Sequence, residues 1–478
     1  MRFSLFCAAL LTTLLLAGCR LHAPLAVTPA APLPEVFTHA DAEPQPPPSV
    51  APWWLQFNDP ALTAIEETLL ADNLEIRQAY ARLSQFEAAS RVADSSLLPS
   101  LNLTGSASRG RQETNGTDLT TSGQSLSLAA SYEIDLWQKL RANRQAAQLD
   151  FSATREEIKA LYLILTSQAA DLYFLTIEQR AQLALTDAII ENLRTIRDQV
   201  EFRYRQGIAP SLDLYQADQN LAAAKARRPE QETALAITEH GLAVLLGRYP
   251  DHAAMADTTS LPTAPPAPPA GIPVALLRQR PDVQSAFLRV QSSDAKTAAA
   301  VADRFPALNL SGSLGVGRTD SGLSVLHATF WNLLIGLTQP IIDNGRRQAE
   351  VDRREAVTAE ALARYQQVVL RAFQEVENSL VANQAAEQQL ALKNTELTAA
   401  AATLRQATDG YFQGLNNYLA VLVAQRQHHE VNRQQLSARR QLLSARITLW
   451  RALGGDWLET SLAANLSSQP NEDSHHEN

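Results

Sequence analysis

The 478-residue sequence predicts an α+β membrane protein that is mainly helical, with long coiled-coil-like helix hairpins and four amphipathic strands per protomer. Three observations carry that expectation. Two runs of more than 60 residues, Arg141 to Arg205 and Arg346 to Asp409, contain neither Gly nor Pro. Two regions ahead of those runs alternate apolar and small polar residues with the period of a strand. The two halves of the chain also repeat each other at one unbroken offset of 207 positions, which marks an internal duplication.

The first residues read as a secretory signal over 1–18. Arg2 supplies a minimal positive start, and Phe3 to Leu16 forms an apolar core too short to span a bilayer comfortably. Leu16-Ala17-Gly18-Cys19 has the form of a lipobox, in which small residues precede a thiol that receives lipid. Only two cysteines are present and Cys7 lies inside the signal, so no disulfide is expected in the mature chain. Arg20 follows Cys19 where an Asp would favour retention at the inner membrane, so outer-membrane sorting is expected. The covalent lipid expected on Cys19, N-acyl and S-diacylglycerol, stabilises anchoring by about 0.8 kcal/mol per buried CH₂. No other cofactor is expected.

A Pro-rich tether covers 19–52, and an N-terminal helical segment 53–98 follows, with Trp53-Trp54 and a helix starting near Asp59-Pro60. The first repeat, 99–248, opens with Leu98-Pro99-Ser100-Leu101-Asn102-Leu103, matched in the second repeat, 305–455, by Phe305-Pro306-Ala307-Leu308-Asn309-Leu310. The same offset pairs Ile134 with Ile341, Tyr204 with Tyr411, Gln206-Gly207 with Gln413-Gly414, and Leu246-Gly247 with Leu453-Gly454. A Pro-rich linker, 249–273, and a helical segment, 274–304, separate the copies; 456–478 is a C-terminal segment ending in a polar, disordered tail.

Within the copies, Leu308, Leu310, Gly312, Leu314 and Val316 alternate with Asn309, Ser311, Ser313, Gly315 and Gly317. Trp331, Leu333, Ile335 and Leu337 alternate with Asn332, Gly336 and Thr338, and Leu126, Leu128, Ala130 and Tyr132 with Ser125, Ser127, Ala129 and Ser131. Polar stretches, Arg109 to Gln124 and Arg318 to Thr329, read as loops between the strands. A half-buried sheet of a soluble domain also alternates, but small uncharged residues on the second face suit a wet lumen opposite lipid. Each Gly-free and Pro-free run then forms a helix of about 100 Å at 1.5 Å per residue. Ile189, Leu193, Ile196 and Val200 give it an a/d seam. Gly207 and Gly414 mark the helix-turn tips, where Gly permits the left-handed cap, and return helices run from Ser211 to Leu246 and from Tyr418 to Leu453.

Four strands cannot close a membrane barrel, because the smallest need eight and an open edge in lipid leaves backbone groups unpaired. Two protomers would give eight strands and a packed interior; three would give twelve and room for a channel. The formal charge of -9, with Lys and Arg dispersed, argues against nucleic acid as a partner. No CxxC, HExxH, GxSxG or phosphate-cradling loop occurs, so no catalytic or metal residues are assigned and the chain is not expected to be an enzyme. His428 and His429 are adjacent, about 100° apart on a helix, and cannot share one metal in the i, i+4 manner. Asp135 and Glu133, at a strand end, read as capping or solvated carboxylates.

Several motifs together resemble the TolC-like outer-membrane factors, specifically the lipoprotein branch of efflux-pump channels. They are Trp53-Trp54 with Phe57 and Asp59-Pro60, Leu98-Pro99-Ser100-Leu101, Tyr132-Glu133-Ile134-Asp135-Leu136-Trp137, Arg278-Gln279-Arg280-Pro281-Asp282-Val283, and Gly414 followed by Tyr418-Leu419-Ala420-Val421-Leu422. The resemblance implies a homotrimer with a twelve-stranded transmembrane β-barrel and a periplasmic α-barrel. It also implies location in the Gram-negative outer membrane and passive conduction from a periplasmic adaptor (membrane fusion) protein and an inner-membrane transporter of the RND type. By analogy, a periplasmic gate lies over Tyr204 to Tyr215 and Tyr411 to Arg426, with Tyr411, Leu419 and Arg426 at the constriction. Val423 stands where relatives often carry an acidic residue, so Arg426 is expected to pair with Asp213 or Asp218 instead. An adaptor lipoprotein, which should carry compact lipoyl-like modules, and the channel of a type I secretion system are the alternative readings.

Overall fold

The computed structural model describes residues 22–27, 34–39, 51–114, 117–250, 258–270, 273–320 and 324–454. Cys19, the signal segment and 456–478 lie outside the described residues. A 3₁₀ turn, Trp53–Phe57, precedes α1 (Pro60–Asp72), α2 (Leu74–Ser95), β1 (Ser100–Thr114), β2 (Thr117–Ile134), α3 (Lys139–Arg205) and α4 (Ser211–Leu245). The second half contains α5 (Pro273–Gln279), α6 (Pro281–Ala302), β3 (Ala307–Asp320), β4 (Val325–Thr338), α7 (Arg346–Phe412) and α8 (Tyr418–Leu453). The long helices α3 and α7 have 67 residues each. Their bounds differ by 207 at both ends, as do those of α2 and α6. The duplication therefore reaches back at least to Leu74, well before position 99, where the identities first become visible.

The chain divides into two compact units. The first holds Arg82–Arg155 and Ser285–Gln367. Its four strands form one antiparallel sheet in the order β1-β2-β3-β4, so β1 and β4 are edges. The register aligns Leu103, Leu128, Leu314 and Trp331 in one row across all four strands, and all four side chains are exposed, Trp331 at 77%. The neighbouring row on the other face is Thr104, Ser127, Gly315 and Phe330. A Cβ on Gly315 would come within 2.5 Å of the Phe330 ring, so the glycine makes room for an aromatic on the small-residue face. Phe330 and Leu334 share their face with Asn332, so β4 is less cleanly divided than the alternation of Trp331 to Leu337 implies.

The stretches read as loops, Arg109 to Gln124 and Arg318 to Thr329, are largely strand: Arg109 pairs with Ser122 and Thr114 with Thr117, and Asp320 with Val325. Alternation can fade there because the main-chain ladder needs no apolar side chain. An apolar membrane band spans about 25 Å. Eighteen residues of β2 reach roughly 60 Å at about 3.3 Å each, well beyond it.

The Tyr132 to Trp137 motif joins strand to helix. Asp135 accepts hydrogen bonds from the backbone N–H groups of Leu140 (2.9 Å) and Arg141 (3.0 Å) at the start of α3. Glu133 pairs with Lys139 at 2.6 Å, and the Trp137 indole donates to the carbonyl of Pro306 at 2.8 Å. Nearby, Asp150 accepts from Lys296 (2.7 Å) and Arg289 (3.0 Å). Burial pushes its pKa up, but hydrogen bonds from Lys296 and Ser292 and the two cationic charges outweigh that and hold it below the usual carboxylate range.

The second unit contains Ala30–Ala81, Glu156–Gln284 and the chain from Val368 onward. Trp53, Trp54 and Phe57 are buried; Phe57 packs on Phe174 at 5.4 Å between ring centres, and Tyr80 and Tyr162 share a buried hydrogen bond of 2.7 Å. Helix α3 contains a stretch long and apolar enough by composition to cross a membrane, but 61% of it is buried inside the fold, as this packing requires. Parts of the tether and linker are held down. Phe37 packs on Phe373, Thr38 and His39 bond Glu377, and Arg439 and Arg446 of α8 donate to the carbonyls of Leu261 and Pro265. At the helix ends, a Cβ on Gly247 would lie 2.6 Å from the Asp72 carbonyl, and one on Gly454 3.0 Å from that of Gln279. Both members of each pair are related by the 207-residue offset, so the repeat persists in tertiary contacts as well as in sequence.

Candidate functional site

The turns at the tips of the two helix hairpins are built alike. Gly207 (φ +74°) and Gly414 (φ +79°) adopt the left-handed conformation. The backbone N–H of Ile208 donates to the Arg203 carbonyl at 2.9 Å, and that of Leu415 to Gly410 at 2.8 Å, closing the last helical turn as a Schellman cap. Proline then fixes the first return, through Pro210, while the Asn417 side chain caps α8 by accepting from the Ala420 N–H at 3.2 Å.

Beyond the turns the two hairpins differ, and they interlock. Tyr411 is buried and donates its hydroxyl to Asp213 Oδ2 at 3.1 Å. Its ring packs tilted against that of Tyr418, 5.2 Å between centres, and the Arg203 guanidinium lies 5.1 Å from the Tyr411 ring centre. Arg203 also donates to the Phe412 carbonyl at 3.2 Å. Ile196, Val200, Ala217, Val421 and Leu422 complete the apolar cluster around both tyrosines, which continues the predicted seam. Burial first, and then the hydrogen bond and charge of Asp213, push the Tyr411 pKa up to about 12. The phenol therefore remains a donor throughout the physiological range.

Asp213 is thus brought to Tyr411, whereas Tyr204, the repeat mate of Tyr411, is exposed. Asp218 accepts from Arg197 at 2.9 Å, and Arg197 also pairs with Glu201. The expected pairing of Arg426 with Asp213 or Asp218 does not occur in the protomer: both carboxylates face other partners, and Arg426 is exposed with no ion pair among the described residues. Leu419 and Val423 are exposed on the same helix. The spacing of 419, 423 and 426 puts them on one face, which is turned away from the Tyr411 cluster. Sequence reasoning missed Arg203, Arg197 and the Asn220–Gln425 hydrogen bond of 3.2 Å, and gave Tyr418 no role of its own. Gln425 is fully buried, and its only signal is a polar residue directly after the apolar run Val421 to Ala424.

Around the turns, Ile208, Leu212, Tyr215, Leu415 and Leu419 are all exposed. Two neighbouring turns of one unit thereby present apolar side chains without a partner, the usual mark of an interaction surface.

The sequence profile of the outer membrane efflux protein family matches residues 66–248 and 272–455. The two matched segments start 206 and end 207 positions apart, the interval of the internal repeat. The chain is 30% identical over 416 residues to the pyoverdine export outer membrane protein OpmQ of Pseudomonas aeruginosa, covering 85% of this chain and 87% of that protein. It is 29% identical over 463 residues to the cation efflux system protein CusC of Escherichia coli, covering 95% and 98%. Among solved structures, the outer-membrane channel OprN superposes with a TM-score of 0.85 at 26% identity, covering 92% of this chain and all of that one. A crystal structure of CusC superposes with a TM-score of 0.78, also at 26% identity, covering 91% and 99%. With its duplicated hairpins, its exposed apolar sheet face and its tip cluster, the chain belongs to the outer membrane efflux protein family and is an outer-membrane channel component of an efflux system.

Proposed function

We propose that three copies of this chain close one twelve-stranded barrel, and that the trimer is the passive outer-membrane duct of a tripartite pump. In this reading it is fed by a periplasmic adaptor and an inner-membrane transporter of the RND type. The single observation that carries the reading is the open four-stranded sheet with an exposed apolar row on one face and small residues on the other. Such a sheet can enter lipid only if β1 of one copy pairs with β4 of the next. Twelve strands leave a lumen that eight would fill. The apolar tips around Ile208, Leu212 and Leu415 supply the docking surface for the adaptor, and the Tyr411–Asp213 hydrogen bond holds the two hairpins of each protomer in the closed arrangement. Leu419 and Arg426 face the pore beside that lock.

Lipid on Cys19 adds a second anchor to a barrel that already spans the membrane. Cys19→Ser should therefore yield a heat-labile trimer that still needs detergent for extraction; a soluble monomer would overturn the barrel. Relatives of similar identity are named for pyoverdine, toluene and cations, which supports a duct whose cargo is chosen by the transporter.

A further inference from the structure

A cavity of about 510 Å³ lies within the helical unit between α3, α4 and α8. Its walls combine two chemistries. Ile189, Leu193 and Val423 are apolar, whereas Arg227, Arg426 and Arg433 bring three guanidiniums against the single carboxylate of Glu430. That carboxylate is already engaged, accepting from Arg433 at 2.8 Å and Gln434 at 2.9 Å. Arg227 and Arg426 have no ion pair or hydrogen bond among the described residues.

A second observation points into the same space. Thr186, 2% exposed, lines the cavity, and its hydroxyl has no hydrogen-bond partner. Elsewhere in the helices threonine hydroxyls satisfy themselves on the carbonyl four residues earlier, as Thr154, Thr166, Thr176 and Thr238 do. A buried hydroxyl without that bond is costly unless something else accepts it. Burial first, then the charges of His428, Arg433 and Arg227, depress the His429 pKa to about 4, so the ring is neutral at neutral pH and the positive charge at the cavity comes from the arginines alone.

We infer that this cavity binds an amphiphilic organic anion, its carboxylate or sulfonate held by Arg227, Arg426 and the Thr186 hydroxyl and its apolar body against Ile189, Leu193 and Val423. Guanidinium forks match such oxyanions in geometry as well as charge, and the volume lies in the range of small-molecule sites. The inference rests on the channel reading for its consequence, that anionic amphiphiles are among the compounds that dwell in the duct.

The test is ¹⁹F NMR titration of the detergent-solubilised full chain with 4-(trifluoromethyl)benzoate, using the neutral 4-(trifluoromethyl)benzamide as the uncharged match. The benzoate should give saturable line broadening and the benzamide should bind at least about tenfold more weakly, the usual scale of a charge-assisted hydrogen bond. Arg227→Gln should weaken benzoate binding about tenfold and Thr186→Val about threefold, with Lys225→Gln, the same loss of charge outside the cavity, leaving it unchanged. Equal binding of the two probes, absence of saturation, or equal effects of Arg227→Gln and Lys225→Gln would overturn the site. Failure of the channel reading itself would register in extraction and conductance while leaving this binding curve intact.

Discussion

Replacing Tyr411 with Phe removes one hydroxyl and keeps the ring that packs on Tyr418 and under Arg203. The bond lost is that to Asp213, 3.1 Å long and partly buried. A hydrogen bond contributes about 0.5–1.5 kcal/mol net and one to a charged group about 1.5–3 kcal/mol; the 3.1 Å length and partial exposure keep this bond within the lower range. Taking about 1 kcal/mol per protomer, a single hairpin would shift toward the open arrangement about fivefold. If the three protomers open together, the terms add to about 3 kcal/mol and the open population rises roughly 150-fold.

The assay is single-channel recording in planar bilayers, comparing wild type, Tyr411→Phe, Asp213→Asn and the double variant. The two single variants should raise the open fraction, and the double variant should raise it no further than the larger single effect, because both remove the same bond. Unchanged open fraction in both single variants, with trimer assembly intact, would refute the lock. Full additivity in the double variant would show that the two residues act on separate contacts. Alkaline pH offers an internal control. With its pKa raised to about 12, Tyr411 keeps its proton at pH 10, so opening between pH 8 and 10 cannot be assigned to its ionisation.

Two further outcomes follow from the helix ends and the buried acid. Gly247→Ala should lower the thermal stability of the assembled protein more than Gly207→Ala. Both carry the cost of a left-handed alanine, about 1–2 kcal/mol, but only Gly247 has a carbonyl 2.6 Å from the added Cβ while Gly207 has open space; equal midpoints by differential scanning calorimetry would contradict the packing. Glu66 is fully buried, neither carboxylate oxygen has a hydrogen-bond partner, and burial raises its pKa well above the usual carboxylate value. The folded state therefore holds this proton more tightly than the unfolded state, so the contribution is fully present below the unfolded pKa and is lost as pH rises through the folded pKa, by about 1.4 kcal/mol per pH unit. Glu66→Met should remove that slope and stabilise the protein at neutral pH, checked by midpoints of thermal unfolding across pH 5 to 8; an unchanged slope would show that the carboxylate is not the source.

What could be read from the sequence divides along physical lines. The repeat, the strand faces and the long helices were legible because each rests on period and punctuation: Leu308 to Gly317 alternate, α3 and α7 lack Gly and Pro, and Gly207 and Gly414 sit where a left-handed cap is needed. The earlier reach of the repeat was hidden because α2 and α6 keep a common position but few common residues; a helix needs only an apolar stripe to keep its place, and the close approach just ahead of each falls on the carbonyl of Asp72 or Gln279, the last residues of α1 and α5, which any residue supplies. The strand tips were misread for the converse reason, since ladder pairing such as that of Arg109 with Ser122 leaves no trace in side-chain hydropathy.

The tip cluster shows where such reading ends. Tyr411 and Asp213 could each be named from their positions in the family pattern, yet their pairing depends on how α4 and α7 are rotated about their own axes, which no spacing within one helix encodes. Arg203 was overlooked for the same reason, because beside Glu201 and Arg205 it reads as one more surface charge. Arg426 is the more instructive case. Within the protomer it does not reach either expected carboxylate, because Asp213 and Asp218 are already bound by Tyr411 and Arg197. Val423 and Arg426 instead place an apolar side chain and a cation together on the wall of one cavity. A cation without a carboxylate partner beside an apolar side chain changes what that surface is able to bind.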